Sequence, residues 1–220
     1  MVTKHDLQRF IRAEIHQDFF EELSILIPQT FQKAMSDSQQ LRNVPPEHLR
    51  GYLRYMYVQE AMGGLVRWSP VIRETAPKGS FFVLLAIGRV RLTAVVLPWQ
   101  KEVREAKYRS ELKLLNETLA CTQIDWINEV TQPADDHLIN ALVIAHAPPP
   151  SCANQAEPLA IALAVPYFNG KGFHMSCALE ELMDGYAEDE HAGLKPIALV
   201  KLRDNMRRAE DTDTETQAKR

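Results

Sequence analysis

Cysteine is scarce in this sequence: Cys121, Cys152 and Cys177 are the three present, and they lie far apart. An odd number of cysteines at this spacing provides neither a disulfide framework nor a CxxC metal pair. The N-terminus, MVTKHDLQRFIRAEIH, is charged and lacks the long apolar core of a secretory signal. We therefore expect a cytoplasmic protein in a reducing environment.

Hydrophobic runs long enough to cross a bilayer are also missing, since such a span needs about 20 apolar residues. The most apolar stretch, residues 80–98, is shorter and is interrupted by two arginines. Within it, apolar residues follow one another almost without alternation at 81–87 and 90–97, on either side of Gly88-Arg89. Length and the Val, Ile and Phe content favour two buried strands over two buried helices. We predict a hairpin at the centre of the sheet and no membrane span.

The overall composition is that of an ordinary globular protein, with 45% hydrophobic and 25% charged residues. We predict a single domain over residues 1–206, in which residues 1–62 form a helical part and residues 63–206 contain the sheet. The tail, residues 207–220, has no apolar side chain larger than alanine and is predicted to be disordered.

Helical periodicity dominates the first part of the chain. Apolar residues recur at three- and four-residue steps over residues 4–35, which predicts a helix that Pro28 breaks or kinks. After a polar loop, the Pro-Pro-Glu sequence at 45–47 is typical of a helix start, and the glycine pair at 63–64 is typical of an end. A further amphipathic helix is predicted over residues 101–119.

Three strands are predicted besides the hairpin, at residues 65–73, 137–147 and 159–167. Pro70 suits an edge strand, and the proline-rich residues 148–158 are predicted to form a mobile surface loop. A helix is predicted over residues 176–186, and residues 196–202 form either a last strand or part of a helix. These elements predict an α+β fold: an N-terminal helical layer packed on a mostly antiparallel, five- to six-stranded sheet with a central hairpin.

Charge is distributed unevenly along the chain, although the net charge is only −4. Residues 1–120 carry 17 Lys and Arg against 13 Asp and Glu, whereas residues 121–200 carry 2 against 11. If the fold keeps these parts separate, the molecule is electrically polarised and suits a charge-complementary partner. If the parts interleave in one sheet, the polarity cancels.

The best-placed candidate for ligand binding is the loop after the strand at residues 159–167. It consists of Asn169, Gly170, Lys171 and Gly172, and His174 follows it. A loop between a strand and a helix presents main-chain amides and a lysine to a phosphate at the helix N-terminus. The GxxxxGK[ST] and GxGxxG spacings of nucleotide-binding loops are absent, which favours a plain turn.

A thiol is the second candidate, because Cys177 lies close to His174 and Ser176 at the predicted start of a helix. A thiol in that position has a lowered pKa and can act as a nucleophile with a histidine base. No flanking signature of a thiol enzyme accompanies these residues. A buried cysteine and a capping serine are therefore the favoured interpretation, and no catalytic residue is predicted.

Two groups contain the residue types that bind metals: Asp135, Asp136 and His137 with His146, and Asp184 with the acids and histidine at 188–191. Neighbouring residues on a strand point to opposite faces, so at most alternate members of the first group can converge, and a solvated turn before the strand is favoured. The second group lacks the spacing of a calcium loop. Both groups are predicted to be solvated, and neither a metal nor a cofactor is predicted.

The order helix, three strands, helix, strand resembles the core of restriction-endonuclease-like folds. Catalysis in that family needs an acid on the second core strand and an acid-x-Lys on the third, which hold a divalent metal at the scissile phosphate. Here residues 81–87 have no acid, and Arg91 is the single charge of residues 90–97. The resemblance is one of layout and does not predict a nuclease.

Nucleic-acid binding without catalysis is another alternative, because arginines are interleaved with aromatic residues in the first half of the chain. Guanidiniums contact phosphates, and aromatic rings stack on bases. The net negative charge argues against this function. The candidate residues are Arg50, Arg54, Arg67, Arg73, Arg89 and Arg91, with Tyr52, Tyr55, Tyr57 and Trp68 nearby.

No set of residues in the sequence converges on a reaction. We therefore predict a non-catalytic interaction or regulatory protein, such as a component of a larger assembly or an antidote-like partner. We expect it to bind another protein and to self-associate, rather than to be an enzyme. The alternatives are a phosphate-binding module or enzyme that uses the loop at residues 169–172, and a nucleic-acid-binding regulator.

Overall fold

The computed structural model describes residues 3–40, 43–98, 101–120, 138–169 and 172–191. The elements in chain order are α1 (Lys4–Glu14), α2 (Gln17–Ser38), α3 (Pro46–Gly64), a 3-10 turn (Val66–Trp68), β1 (Pro70–Glu74), β2 (Phe81–Ile87), β3 (Val90–Leu97), α4 (Lys107–Lys113), a second 3-10 turn (Leu114–Asn116), α5 (Glu117–Ala120), β4 (Ile139–His146), β5 (Ala160–Pro166), β6 (Phe173–Ala178) and α6 (Leu179–His191). The fold is α+β, with N-terminal helices and a six-stranded, mostly antiparallel sheet, as the sequence predicted.

The six strands lie in the sheet in chain order, from β1 at one edge to β6 at the other. Every neighbouring pair is antiparallel except β3 and β4, which are parallel. A parallel pair needs a long crossover connection, and α4 and α5 lie in the chain between β3 and β4. None of the helices in the described ranges combines the length and hydrophobicity that a bilayer-spanning helix needs.

The predicted central hairpin is confirmed. Ile87 lies opposite Val90, so two residues, Gly88 and Arg89, form the turn between β2 and β3. Gly88 has a φ of 50°, which side chains other than glycine rarely adopt. An added Cβ would also collide with the Glu14 carboxylate, which lies against the turn. Both facts explain why glycine occupies this position.

Helices cover one face of the sheet. Their apolar side chains and those of alternate strand residues form one core, in which Phe19, Phe31 and Met62 are fully buried. Gln59 of α3 reaches into this core. Its side chain bridges β2 and β3 just beyond the last hydrogen-bonded residues of the two strands. It accepts a hydrogen bond from the Val83 N–H (2.8 Å) and donates one to the Ala94 carbonyl (3.1 Å).

The opposite face carries two smaller apolar clusters. Leu142 and Ile144 of β4 pack with side chains of β3 and β5. Phe82 and Tyr108 stack with their ring centroids 3.9 Å apart, which holds α4 against this face. β2 and β3 are therefore buried on both faces, as the absence of alternation in their sequence predicted.

The first helical segment breaks at Ile15 and His16, so the predicted break at Pro28 is wrong. The His16 Nδ1 accepts a hydrogen bond from the Asp18 N–H (3.3 Å) and caps α2. Pro28 lies inside α2, where it removes one helical hydrogen bond, which typically destabilises a helix by about 3 kcal/mol. Burial of the apolar face of α2 offsets this loss; its fully buried residues include Phe19, Phe20, Leu23 and Phe31.

Other boundaries also differ from the predictions. The helix expected over 101–119 begins at Lys107, since residues 101–106 have no regular structure. The strand expected over 65–73 is limited to β1, an edge strand that begins at Pro70. The helix expected at residue 176 begins at Leu179, because residues 173–178 form β6 along β5.

Residues 148–158 form an irregular loop that is tied to α3, although the sequence predicted a mobile excursion. The Gln155 amide donates hydrogen bonds to the carbonyls of Pro149 (2.6 Å) and Cys152 (2.9 Å), and Arg54 donates to Gln155. The predictions for residues 135–137, 196–202 and 207–220 lie outside the described residues.

The basic and acidic parts of the chain share one sheet but occupy different halves of it. β1, β2 and β3 come from residues 1–120, and β4, β5 and β6 come from the later, acidic part. α1 crosses to the acidic half and packs on β6 and α6. There the Lys4 Nζ lies 2.7 Å from the Glu181 Oε1, so α1 brings basic charge to the acidic half.

Candidate functional site

The loop predicted to bind phosphate connects two antiparallel strands, β5 and β6, rather than a strand and a helix. The Tyr167 N–H donates a hydrogen bond to the Gly172 carbonyl (3.1 Å) and closes the hairpin. Gly170 and Lys171 lie outside the described residues. Because no helix begins after this loop, the helix N-terminus on which the phosphate hypothesis depended is not there.

His174 lies on β6 beside this hairpin. Its ring meets the edge of the Tyr167 ring at a centroid distance of 4.4 Å. The His174 Nε2 is buried and has no hydrogen-bond partner. Burial lowers the pKa of His174 below its ordinary value, which favours the neutral ring.

Cys177 is a buried residue of the core on the helix-covered face, not a residue at a helix start. Its Sγ lies 3.8 Å from the Leu163 carbonyl oxygen. Burial raises the pKa of the thiol, which disfavours the nucleophilic thiolate. Ser176, the predicted capping serine, is an exposed residue of β6.

The candidate metal ligands do not converge where they are described. His146 is half-buried at the end of β4, and burial lowers its pKa. Asp184 is exposed on α6. Among the described residues there is no group of three or more His, Cys, Asp or Glu side chains that could hold a metal ion.

Two of the candidate arginines are bound by carboxylates of the chain itself. The Arg67 Nη2 lies 2.9 Å from the Asp18 Oδ2. Arg89 donates to the Glu14 Oε1 from its Nη2 (2.6 Å) and its Nε (2.8 Å), and its guanidinium lies over the Phe10 ring. These two arginines hold α1 and α2 to the segments that follow α3.

The other arginines differ in their surroundings. Arg91 donates to the Gly88 carbonyl (2.9 Å), and Arg73 is exposed on β1. Arg50 and Arg54 lie one turn apart on α3 and are the pair that the structure brings together. The Nε atoms of both are buried without a hydrogen-bond acceptor.

Three of the four aromatic residues predicted near the arginines are used inside the fold. The Tyr55 hydroxyl donates to the Phe81 carbonyl (2.5 Å), and the Tyr57 hydroxyl donates to Asp37 (2.6 Å). The Trp68 Nε1 donates to Glu22 (3.1 Å). Tyr52 is exposed. The aromatic set therefore does not form a continuous stacking platform for bases.

The surface that the sequence analysis missed is the outer edge of β1, with which no strand of the described residues pairs. β1 pairs with β2 on one side, and its residues after Pro70 are exposed. The exposed fractions of Val71 and Ile72 are 46% and 69%, and that of neighbouring Val66 is 77%. Pro70 indicated an edge position, but the exposure of these apolar side chains depends on what packs beside them.

No protein-family model matches this chain, and no curated protein or solved structure is detectably similar to it. The layout that resembles restriction-endonuclease-like folds brings no catalytic acids, because β2 contains none and Arg91 is the single charge of β3. The candidate surfaces are thus the β1 edge and the Arg50–Arg54 pair.

Proposed function

We propose that this chain is a non-catalytic interaction protein that binds an extended segment of a partner polypeptide along the outer edge of β1. The observation that carries the proposal is the exposure of apolar side chains on a sheet edge that no described strand pairs with, where an added strand would cover them. The loop at residues 169–172 and the arginines bound by carboxylates supply no comparable surface.

The main chain of β1 offers hydrogen bonds to an incoming strand. The Thr75 N–H donates to the Ser80 carbonyl (3.0 Å), so the main-chain groups of Thr75 point toward β2. Main-chain groups alternate in direction along an antiparallel strand. The same alternation directs the N–H and carbonyl groups of Ile72 and Glu74 outward, whereas Pro70 offers only its carbonyl.

The side chains of β1 offer apolar contact on both faces of the sheet. Ile72 lies opposite Val83, a residue of the helix-side core, and Val71 lies opposite Leu84 on the other face. A strand added at this edge would therefore contact one aliphatic side chain on each face. Main-chain pairing supplies affinity in such complexes, and the flanking side chains supply selectivity.

The test compares two substitutions of exposed isoleucines. Ile72→Lys places a charge at the β1 edge, whereas Ile25→Lys makes the same change on α2, where Ile25 is 59% exposed. We expect the full-length chain and the Ile25 variant to retain the same stoichiometric polypeptide from extracts of the source cell. Ile72→Lys should weaken this retention by roughly tenfold or more, since burial of an unpaired charge opposes strand addition.

Sedimentation of the purified chain identifies whether the added strand belongs to a second copy, because self-association should then be lost in the same variant. Thermal melts of both variants check that they fold. Equal retention by the two lysine variants, or a monomeric chain that retains no polypeptide, would contradict the proposal.

A further inference from the structure

Arg50 and Arg54 lie one helical turn apart on α3, and Arg54 contacts Gln155 of the loop at residues 148–158. Arg54 is almost completely buried, with 5% of its surface exposed, and Arg50 is half-buried. Like charges at this spacing repel each other. Removing a guanidinium from water is also unfavourable unless acceptors and a counter-charge replace the water.

The surroundings of Arg54 supply acceptors for only part of its guanidinium. Its Nη2 donates to the Gln155 carbonyl (2.5 Å) and to the Gln155 Oε1 (3.2 Å), and its guanidinium carbon lies 4.8 Å from the centroid of the Phe31 ring. All of these groups are neutral. The Nε of Arg54 has no acceptor.

No carboxylate among the described residues forms an ion pair with either arginine. The acid of the facing loop, Glu157, accepts a hydrogen bond from Asn154 (3.0 Å), and Asp37 of α2 accepts one from the Tyr57 hydroxyl (2.6 Å). Burial, followed by the charge of Arg50, lowers the pKa of Arg54 to about 10. Within the described ranges, no carboxylate opposes this shift.

We propose that Arg50 and Arg54 form an oxyanion site that receives a carboxylate of an acidic partner polypeptide. This inference rests on the proposed function, because it assigns the chemistry of the partner. Because Arg50 is only half-buried, a carboxylate that approaches from solvent can accept hydrogen bonds from its guanidinium, and the added negative charge also stabilises the cation of Arg54 one turn along α3. Planar guanidinium groups suit carboxylates because they donate two parallel hydrogen bonds.

The charges elsewhere favour an acidic polypeptide over a nucleic acid. A nucleic acid needs a row of free cations along its phosphates. Among the arginines first considered for that role, Arg67 and Arg89 are already neutralised by Asp18 and Glu14. The chain also carries a net charge of −4. A single carboxylate needs no more than the local pair.

The test uses three probes of the purified full-length chain at matched ionic strength: a hexaglutamate peptide, a hexaglutamine peptide and a single-stranded oligonucleotide of equal charge. Hexaglutamate should raise the melting temperature by about 2–5 °C when it is well above its dissociation constant. Hexaglutamine should have no effect, and the oligonucleotide should have a smaller effect.

Arg50→Gln is the decisive variant because it should weaken hexaglutamate binding and at the same time stabilise the free chain. It should abolish the shift caused by hexaglutamate, and it should raise the melting temperature of the free chain by removing the repulsion on Arg54. The control is Arg104→Gln, which removes an exposed arginine elsewhere and should change neither result.

Three outcomes would overturn the inference. The first is a hexaglutamate shift that persists in Arg50→Gln, and the second is the absence of any shift in the unmodified chain. The third is an oligonucleotide shift as large as that of hexaglutamate, which would assign the site to nucleic acid. If Ile72→Lys releases the retained polypeptide and Arg50→Gln does not, the oxyanion site is wrong while the proposed function stands.

Discussion

Two arginines of this chain are withdrawn from water in opposite ways. At the β2–β3 turn, the Arg89 guanidinium donates two hydrogen bonds to the Glu14 carboxylate. The main-chain N–H of Arg89 donates a third to the same carboxylate (2.8 Å). On α3, Arg54 is more deeply buried but contacts only neutral groups and has a second cation beside it. Arg89 is therefore paired with a carboxylate, whereas no described residue supplies a counter-charge to Arg54.

The difference shows which buried guanidinium of the described residues has no counter-charge. A buried ion pair is stable when both charges and their remaining hydrogen-bonding groups are matched, and an unpaired buried charge is strongly destabilising. The Arg89–Glu14 ion pair meets this condition and stabilises the fold. For Arg50 and Arg54 no carboxylate in the described part of the chain meets it, which is why we propose that a partner supplies the anion.

The largest loss of stability should come from breaking the Arg89–Glu14 ion pair. Arg89→Met leaves the Glu14 carboxylate, which is mostly buried, without its cation. We expect the free energy of unfolding to fall by about 2–3 kcal/mol, below the value for a fully buried pair because Arg89 is partly exposed. Denaturant titration measures this loss. The control, Arg67→Met, disrupts an exposed pair and should have a much smaller effect; equal losses would contradict the contrast.

The next largest loss of stability should come from Gln59 of α3, a buried side chain that both accepts and donates a hydrogen bond. Gln59→Leu removes the side chain that joins the Val83 N–H to the Ala94 carbonyl and leaves both groups buried without partners. We expect a loss of about 2 kcal/mol in unfolding free energy. Gln32→Leu, an exposed change on α2, should be close to neutral. A similar result for both variants would show that the bridge contributes nothing.

A pH dependence of folding stability should reveal the two half-buried histidines, His146 and His174. Burial lowers the pKa values of His146 and His174 in the folded state, so the unfolded chain binds protons first as the pH falls below about 6.5. Folding stability should therefore decrease as the pH falls from 6.5 toward 5. The carboxylates with lowered pKa values, such as Asp6 and Glu181, act only below about pH 4.5.

Denaturant titrations at pH 7 and pH 5.5 measure this dependence. His174→Gln should make it shallower, since the Nε2 without a partner is then removed. An unchanged slope in this variant would show that His174 does not contribute to the dependence.

The smallest effect is expected for Arg54→Met, and it completes the comparison with Arg89→Met. The substitution removes a cation that no carboxylate of the described residues balances, and it keeps a long apolar side chain against Phe31. Lost hydrogen bonds to Gln155 and the relief of charge burial should offset each other to within about 1 kcal/mol. A loss in unfolding free energy as large as that of Arg89→Met would mean that Arg54 is a structural tie.

Much of the sheet was predictable because its signals are local. The unbroken apolar runs at residues 81–87 and 90–97 and the glycine between them correspond to β2, β3 and their turn. The Pro-Pro-Glu start of α3 and its glycine end were also predicted correctly. Each of these signals acts through the residue itself or its immediate neighbours.

The errors arose where distant contacts outweigh local preference. Pro28 disfavours a helix locally, but α2 continues through it because its apolar face is buried against other elements. Ser176 and Cys177 are compatible with a helix start, yet pairing of Cys177 with Leu163 of β5 makes them part of a strand. For the same reason, the loop predicted to bind phosphate is followed by β6 and not by a helix.

The candidate site was only partly predictable. The sequence singled out Arg50 and Arg54, but it ranked them equally with Arg67 and Arg89 as a nucleic-acid footprint. The carboxylates that neutralise those two, Asp18 and Glu14, are 49 and 75 residues away along the chain. Val71 and Ile72 belong to a strand whose edge position Pro70 indicated, but their exposure was not predicted.

By itself the sequence determined the two buried strands of the central hairpin and the start and end of α3, because hydrophobic pattern and turn chemistry act over a few neighbouring residues. The tertiary structure alone decided which cations have counter-charges and which strand edge stays unpaired. Charge pairing and edge coverage depend on groups far apart in the chain that meet only once it has folded, and no local pattern encodes such meetings.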